Sequence, residues 1–145
     1  MQRHSALIPL SQQHHNGLAL GVMATRSLAQ DPSPDNLAHW CARAVERFDV
    51  ELVNHFELEE QLLFPAHPGP LADQLIAEHR ELELLAAQLR AAPGRGALDS
   101  FLELLRRHIR LEENEFFESA QRSVPAAQLQ SIGEEIDRRA VRICL

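Results

Sequence analysis

Four clusters of proline and glycine divide this chain of 145 residues, and they constrain its fold more than any other feature. They are Asp31-Pro32-Ser33-Pro34, Pro65-Ala66-His67-Pro68-Gly69-Pro70, Ala92-Pro93-Gly94-Arg95-Gly96 and Ser123-Val124-Pro125. Proline removes an amide donor and blocks a helix from continuing, so each cluster reads as a break. The segments between them contain no proline. They predict helices over about 11–30, 35–64, 71–91 and 97–121, and a shorter fifth helix over about 126–141 that carries Gly133 and packs across one end. Ser11 is expected to cap the first helix, and Asp35 to meet the positive end of the second. The chain has no Tyr and one Trp, and is rich in Leu, Ala, Glu, Gln and Arg, which suits helices and is poor material for a sheet. Short links make consecutive helices antiparallel neighbours. The expected fold is therefore all-α: an up-down-up-down antiparallel four-helix bundle with a short additional C-terminal helix. It forms one domain over 1–145, with its core in about 11–121.

Several classes of function are disfavoured. A net charge of −7 argues against nucleic acid, whose phosphates need a basic face. No run approaches the roughly 18 uninterrupted apolar residues of a membrane span, and the first residues lack the apolar stretch of a signal peptide. The two cysteines, Cys41 and Cys144, give no disulfide framework and read as a reduced core thiol and a tail thiol. A cytoplasmic protein, monomeric or a small homo-oligomer, is expected.

The core-facing seams carry the chemistry. In the second helix Cys41, Val45, Phe48, Leu52, His55, Glu59 and Leu62 recur at spacings of three and four. The fourth helix repeats the pattern with Leu98, Phe101, Leu105, His108, Glu112 and Phe116, and the third gives Leu75, His79, Leu82, Ala86 and Leu89. The first helix has no clear seam. Residues four apart share a helix face, and His55/Glu59, His79/Glu83 and His108/Glu112 all have that spacing. An isolated pair of this kind is ordinarily solvated surface. Here the pairs fall in apolar seams near mid-helix, where burying a carboxylate costs several kcal/mol unless a cation offsets it. Three such pairs at one level of a bundle point to metal.

An internal echo points to two metals. His55-Phe56-Glu57-Leu58-Glu59-Glu60, ending at Phe64, and His108-Ile109-Arg110-Leu111-Glu112-Glu113, ending at Phe117, share H-x-x-L-E-E-x-x-x-F. His15-Asn16-Gly17-Leu18 and His79-Arg80-Glu81-Leu82 share H-x-x-L. Two helix pairs related in this way would build a site of two similar halves.

With a histidine in the first helix, H-x-x-x-E in the second, a histidine in the third and H-x-x-x-E in the fourth, the chain resembles the hemerythrin-like, or HHE cation-binding, family. The ending Leu62-Leu63-Phe64-Pro65 adds to the likeness, which covers about residues 11–120. The resemblance implies His15, His55, His79 and His108 as nitrogen ligands, with Glu59 and Glu112 bridging two iron ions that are also joined through oxygen. Manganese or zinc would suit the same donors. His15 is preferred for its H-x-x-L context, with its neighbour His14 as rival. Oxygen-carrying members have a second histidine in the third helix where this chain has Glu83, and an aspartate where it has Glu113. Glu83 is therefore a candidate seventh ligand. With it one coordination position would be open, and without it two. More carboxylate favours the ferric state, so irreversible oxidation, peroxide or nitric oxide chemistry, or iron sensing is expected over reversible oxygen carriage.

The resulting expectation is a metal-binding protein of hemerythrin type that binds or senses a small molecule such as oxygen or nitric oxide, or iron itself. A di-iron oxidase or peroxidase in the same scaffold and a metal-free helical interaction module are the alternatives. A ferritin-like oxidase is disfavoured, because no Glu lies three residues before any histidine. Phe64, Phe116 and Phe117 are expected to wall the site. His4, His39 and His67 read as surface residues, Trp40 and Cys41 as core, and the basic tail Arg138-Arg139-Ala140-Val141-Arg142 as a solvated helix end.

Overall fold

The computed structural model describes residues 2–143. After a 3₁₀ turn at Ser5–Leu7, helix α1 runs Ile8–Gln30. Helix α2 covers 34–63, with α-helical Pro34–Arg47 and Val53–Leu58 alternating with π-helical Phe48–Leu52 and Glu59–Leu63. Helix α3 is Pro70–Ala91. Helix α4 covers 95–123, its α-helical parts Arg95–Leu111 and Phe117–Ser123 joined by the π turn Glu112–Phe116. Helix α5 is Ala126–Arg139. The described residues contain no strand, and none of their helices is long and apolar enough to cross a membrane. Cys144 lies outside the described residues.

Helices α1 and α3 each pack against α2 and α4, which makes a four-helix bundle with short links. Proline occupies the first turn of α1, α2 and α3, where its missing amide costs nothing. Before α3, Gly69 adopts φ 148°, a region closed to side chains. Two caps differ from expectation. Ser33, not Asp35, caps α2, its hydroxyl accepting from the Asn36 amide, while Asp35 sits in the first turn. Helix α1 begins before Ser11, whose hydroxyl instead donates to Glu113 at 2.8 Å.

The apolar core has two layers. One, made by Leu20, Cys41, Phe48, Phe56, Leu82, Phe101 and neighbours, fills the end away from the N-terminus. The other joins Leu7, Leu10, Leu63, Phe64, Leu75, Phe116 and Phe117 to Leu129, Ile132 and Ile136 of α5. Helix α5 thus crosses one end of the bundle, as expected for the short fifth helix. It meets the N-terminal 3₁₀ turn at Gly133, where an added Cβ would lie 2.7 Å from the Cα of Ala6. Alanine is the better helix former by up to about 1 kcal/mol. Gly133→Ala is nonetheless expected to destabilise by about 1–3 kcal/mol in denaturant unfolding, because backbone must move to admit the methyl. A neutral or stabilising result would contradict this packing.

Candidate metal centre

Between the two apolar layers lies a polar one. The seam positions that bring His55 and Glu59 inward on α2, and His108 and Glu112 on α4, meet one histidine from α1 and one from α3. His14, His55, Glu59 and Glu112 form one group, and Glu59, His79, His108 and Glu112 a second; within each, one donor atom per residue lies within 4.8 Å of the others. All six residues are buried, none more than 2% exposed. The two carboxylates belong to both groups.

The inward atom of every imidazole is Nε2. His14 Nε2 lies 2.9 Å from Glu112 Oε1, His55 Nε2 3.2 Å from Glu59 Oε1 and 3.3 Å from Glu112 Oε1, His79 Nε2 3.1 Å from Glu59 Oε1, and His108 Nε2 3.4 Å from Glu112 Oε2. Yet the Nε2 atoms of His14, His79 and His108, both oxygens of Glu59 and Oε2 of Glu112 have no hydrogen-bond partner. Buried polar atoms are otherwise almost always satisfied. Neighbouring donors around a cation with bonds of about 2.1 Å sit roughly 3 Å apart, so these spacings and unpaired lone pairs fit a cation in each group.

Outside this layer every Nδ1 is occupied. Glu113 Oε2 lies 2.6 Å from His14 Nδ1, Gln13 Oε1 2.8 Å from His55, Glu60 Oε2 2.7 Å from His79, and Glu78 Oε1 2.7 Å from His108. Such partners keep the proton of the neutral ring on Nδ1, so that Nε2 is the atom that ligates once it carries no proton, and they raise the basicity of the ring. The second glutamate of each Glu-Glu pair thus turns to a histidine of the adjoining helix. Ring contacts hold the planes: Phe56 stacks on His79 at 3.9 Å between centroids, Phe64 on His79 at 5.6 Å and Phe117 on His14 at 5.4 Å. Phe116 packs behind them, edge-on to Phe64 at 5.0 Å.

Charge inside the cluster is held by protons. Burial, then repulsion from Glu112, raises the Glu59 pKa well above the carboxylate range. Burial also opposes ionisation of Glu112, but Glu59, His108, His14 and His55 around it outweigh that and hold it well below the range. His79 is pushed down to about 2 by burial. Burial acts the same way on His108, but Glu112 and Glu78 overcome it and lift the ring to about 10.

Two expected positions differ. His15, one residue further along α1, is turned about 100° away from the core and is exposed, lining a surface cavity of about 320 Å³ with Gln13, Asn16 and Glu51. His14 takes the inward place. Glu83 stays at the surface, its side chain 40% exposed and paired with Arg80 at 3.2 Å. The outer acceptors Gln13, Glu60, Glu78 and Glu113 and the stacking Phe56 were not legible as site residues. Nor was Glu51, fully buried on the first π turn, its Oε2 accepting from Asn16 at 2.8 Å and its pKa raised by burial. One signal was available for the acceptors: Gln13, Glu78, Glu60 and Glu113 are each adjacent in sequence to a residue of the cluster.

Fold and site together define a class, an all-helical bundle with a buried histidine–carboxylate cluster in its core that could hold metal. The family model for the hemerythrin HHE cation-binding domain matches residues 7–120, a stretch containing all six inward side chains. The chain belongs to that family. No curated protein and no solved structure matches it.

Proposed function

We propose that this protein holds a dinuclear iron centre of hemerythrin type and uses it to bind or sense a small molecule such as oxygen or nitric oxide. One observation carries the reading: two buried donor sets, each of two imidazoles, overlap in the carboxylates Glu59 and Glu112. His14 and His55 would hold one ion, His79 and His108 the other, with Glu59 and Glu112 shared. Iron suits mixed imidazole and carboxylate donors. When bound, it would supply Lewis acidity and electrons for a small ligand. With Glu83 at the surface, each half offers four protein donors; an oxygen shared by the two ions would fill a fifth position of each, which leaves about one of six per ion, two in all, for exchangeable ligands. Phe56, Phe64 and Phe117 keep bulk water from the imidazole faces. The carboxylates Glu60, Glu78 and Glu113 behind three of the four rings add negative charge. This supports a centre that rests in the ferric state.

The test is the optical spectrum of the iron-loaded protein, reduced without air and then exposed to oxygen. Conversion to a ferric spectrum that persists when oxygen is withdrawn is expected. A stable spectrum that forms and disappears reversibly with oxygen would contradict the ferric preference.

Metal uptake is also expected to depend on pH. The proton on His108, held to about 10, and the raised proton on Glu59 must leave before those atoms ligate. Binding therefore releases protons, and affinity should rise with pH by about tenfold per unit for each proton displaced, the His108 contribution continuing to about pH 10. Competition titrations across pH 6–8, within this range, would show the slope; a flat profile would contradict it.

A further inference from the structure

In their ligands and in the acceptors of their Nδ1 atoms, the two halves of the centre correspond residue for residue except at one outer position. In the half made by His79 and His108, both rings give Nδ1 to carboxylates, Glu60 at 2.7 Å and Glu78 at 2.7 Å. In the half made by His14 and His55, Glu113 serves His14 at 2.6 Å, but His55 meets the amide oxygen of Gln13 at 2.8 Å. Gln13 and Glu78 occupy equivalent places, each immediately before the ligand histidine of its helix.

The orientation of Gln13 is determined. Its Nε2 donates to Asn54 Oδ1 at 3.0 Å and to the Val141 carbonyl at 3.0 Å, which uses both amide hydrogens. Asn54 is fixed in turn, its Nδ2 donating to the Arg139 carbonyl at 3.1 Å and its Oδ1 accepting from the Val141 amide at 2.9 Å. Gln13 therefore presents only its oxygen to His55, and the chain segment after α5 holds it there. A neutral amide oxygen draws less on the ring N–H than a carboxylate does, so His55 is the weaker electron donor at Nε2.

From this, and resting on the two-metal reading above, we propose that the two halves are inequivalent, the His79/His108 half being the stronger cation site and Gln13 setting the His14/His55 half weaker. Either outer substitution should remove the difference, although the two change charge in opposite directions. Gln13→Glu gives both halves two carboxylate acceptors, and Glu78→Gln gives each one carboxylate and one amide.

The experiment is an anaerobic cobalt(II) titration of the full chain after chelation, followed by visible absorption, in wild type and both variants. Wild type is expected to bind two cobalt ions in resolved steps. Glu78→Gln should weaken the first step by about ten- to hundredfold and leave the second nearly unchanged. Gln13→Glu should tighten the second and leave the first. The ratio of the two dissociation constants shrinks in both. An unchanged ratio in Glu78→Gln overturns the proposal, as does a ratio that moves in opposite directions in the two variants. Gln13→Glu loses the donors to Asn54 and Val141; if it does not fold, Glu78→Gln, at a half-buried outer position, decides alone. Wild type binding fewer than two cobalt ions would instead reject the two-metal reading itself.

Discussion

Glu112→Ala is expected to empty both halves of the centre at once, whereas His79→Ala is expected to leave about one metal per chain. The difference follows from position. Glu112 Oε1 lies beside His14 and His55 at 2.9 and 3.3 Å, and its Oε2 lies beside His108 at 3.4 Å, so both groups lose an anionic donor together. His79 approaches only the half it shares with His108. Removing one member of a fully buried charged set typically costs about 3–5 kcal/mol, or roughly two to four orders of magnitude in affinity. Metal analysis after gel filtration distinguishes the variants. A Glu112→Ala protein that keeps one metal as tightly as wild type would show that the groups do not share their carboxylates.

The second large effect concerns stability. Without metal the core holds two carboxylates and four imidazoles whose Nε2 atoms mostly lack partners, an arrangement several kcal/mol less favourable than a paired one. Metal that binds the native state alone adds about 4 kcal/mol per site at a thousandfold excess over its dissociation constant. For two sites in a chain of this size, Tm is expected to rise by roughly 15–30 °C on loading and to fall again with chelator. Glu59→Gln separates the causes. Burial and Glu112 already raise the Glu59 pKa well above the usual range, so the amide is a close mimic of its protonated form. The metal-free variant should unfold within about 1 kcal/mol of wild type, yet show little or no rise with iron. A metal-free variant much less stable than wild type, or one still strongly stabilised by iron, would contradict this account of the polar layer.

Much of this was legible in the sequence because helices are periodic. The seams of α2, α3 and α4 placed His55, Glu59, His79, His108 and Glu112 in the core, and their shared level followed from antiparallel packing. The same periodicity, applied more strictly, separates Glu83 from the other glutamates. Seam spacings alternate between three and four. On α2 the step into His55 from Leu52 is three, so the next is four and reaches Glu59; α4 does the same from Leu105 through His108 to Glu112. On α3 the step into His79 from Leu75 is four, so the next is three and reaches Leu82, leaving Glu83 turned off the seam. On α1 the residues Leu10, His14, Gly17 and Ala24 continue the buried line, with Leu7 before them. The H-x-x-L match selected His15 by counting from Leu18, which is only half-buried, whereas the helix turns Gly17 inward.

The π turns were not legible. Their extra residue per turn leaves no mark in composition, yet two of the three begin at Glu59 and Glu112, and such turns often occur at functional sites. They also explain one shifted core position. The regular seam predicts Leu62, but the π turn at Glu59–Leu63 buries Leu63 and leaves Leu62 at the edge. The outer acceptors are hidden in the sequence for a different reason: Glu60, Glu78 and Glu113 look like ordinary surface charge, and only the fold reveals the imidazole each one faces.

X-ray absorption at the iron edge of the wild-type protein, combined with its iron content, bears most directly on whether two cations share Glu59 and Glu112. About two irons per chain are expected, with mixed nitrogen and oxygen neighbours and an iron–iron vector at roughly 3–4 Å. A single iron per chain, or two with no iron neighbour at that range, would contradict it.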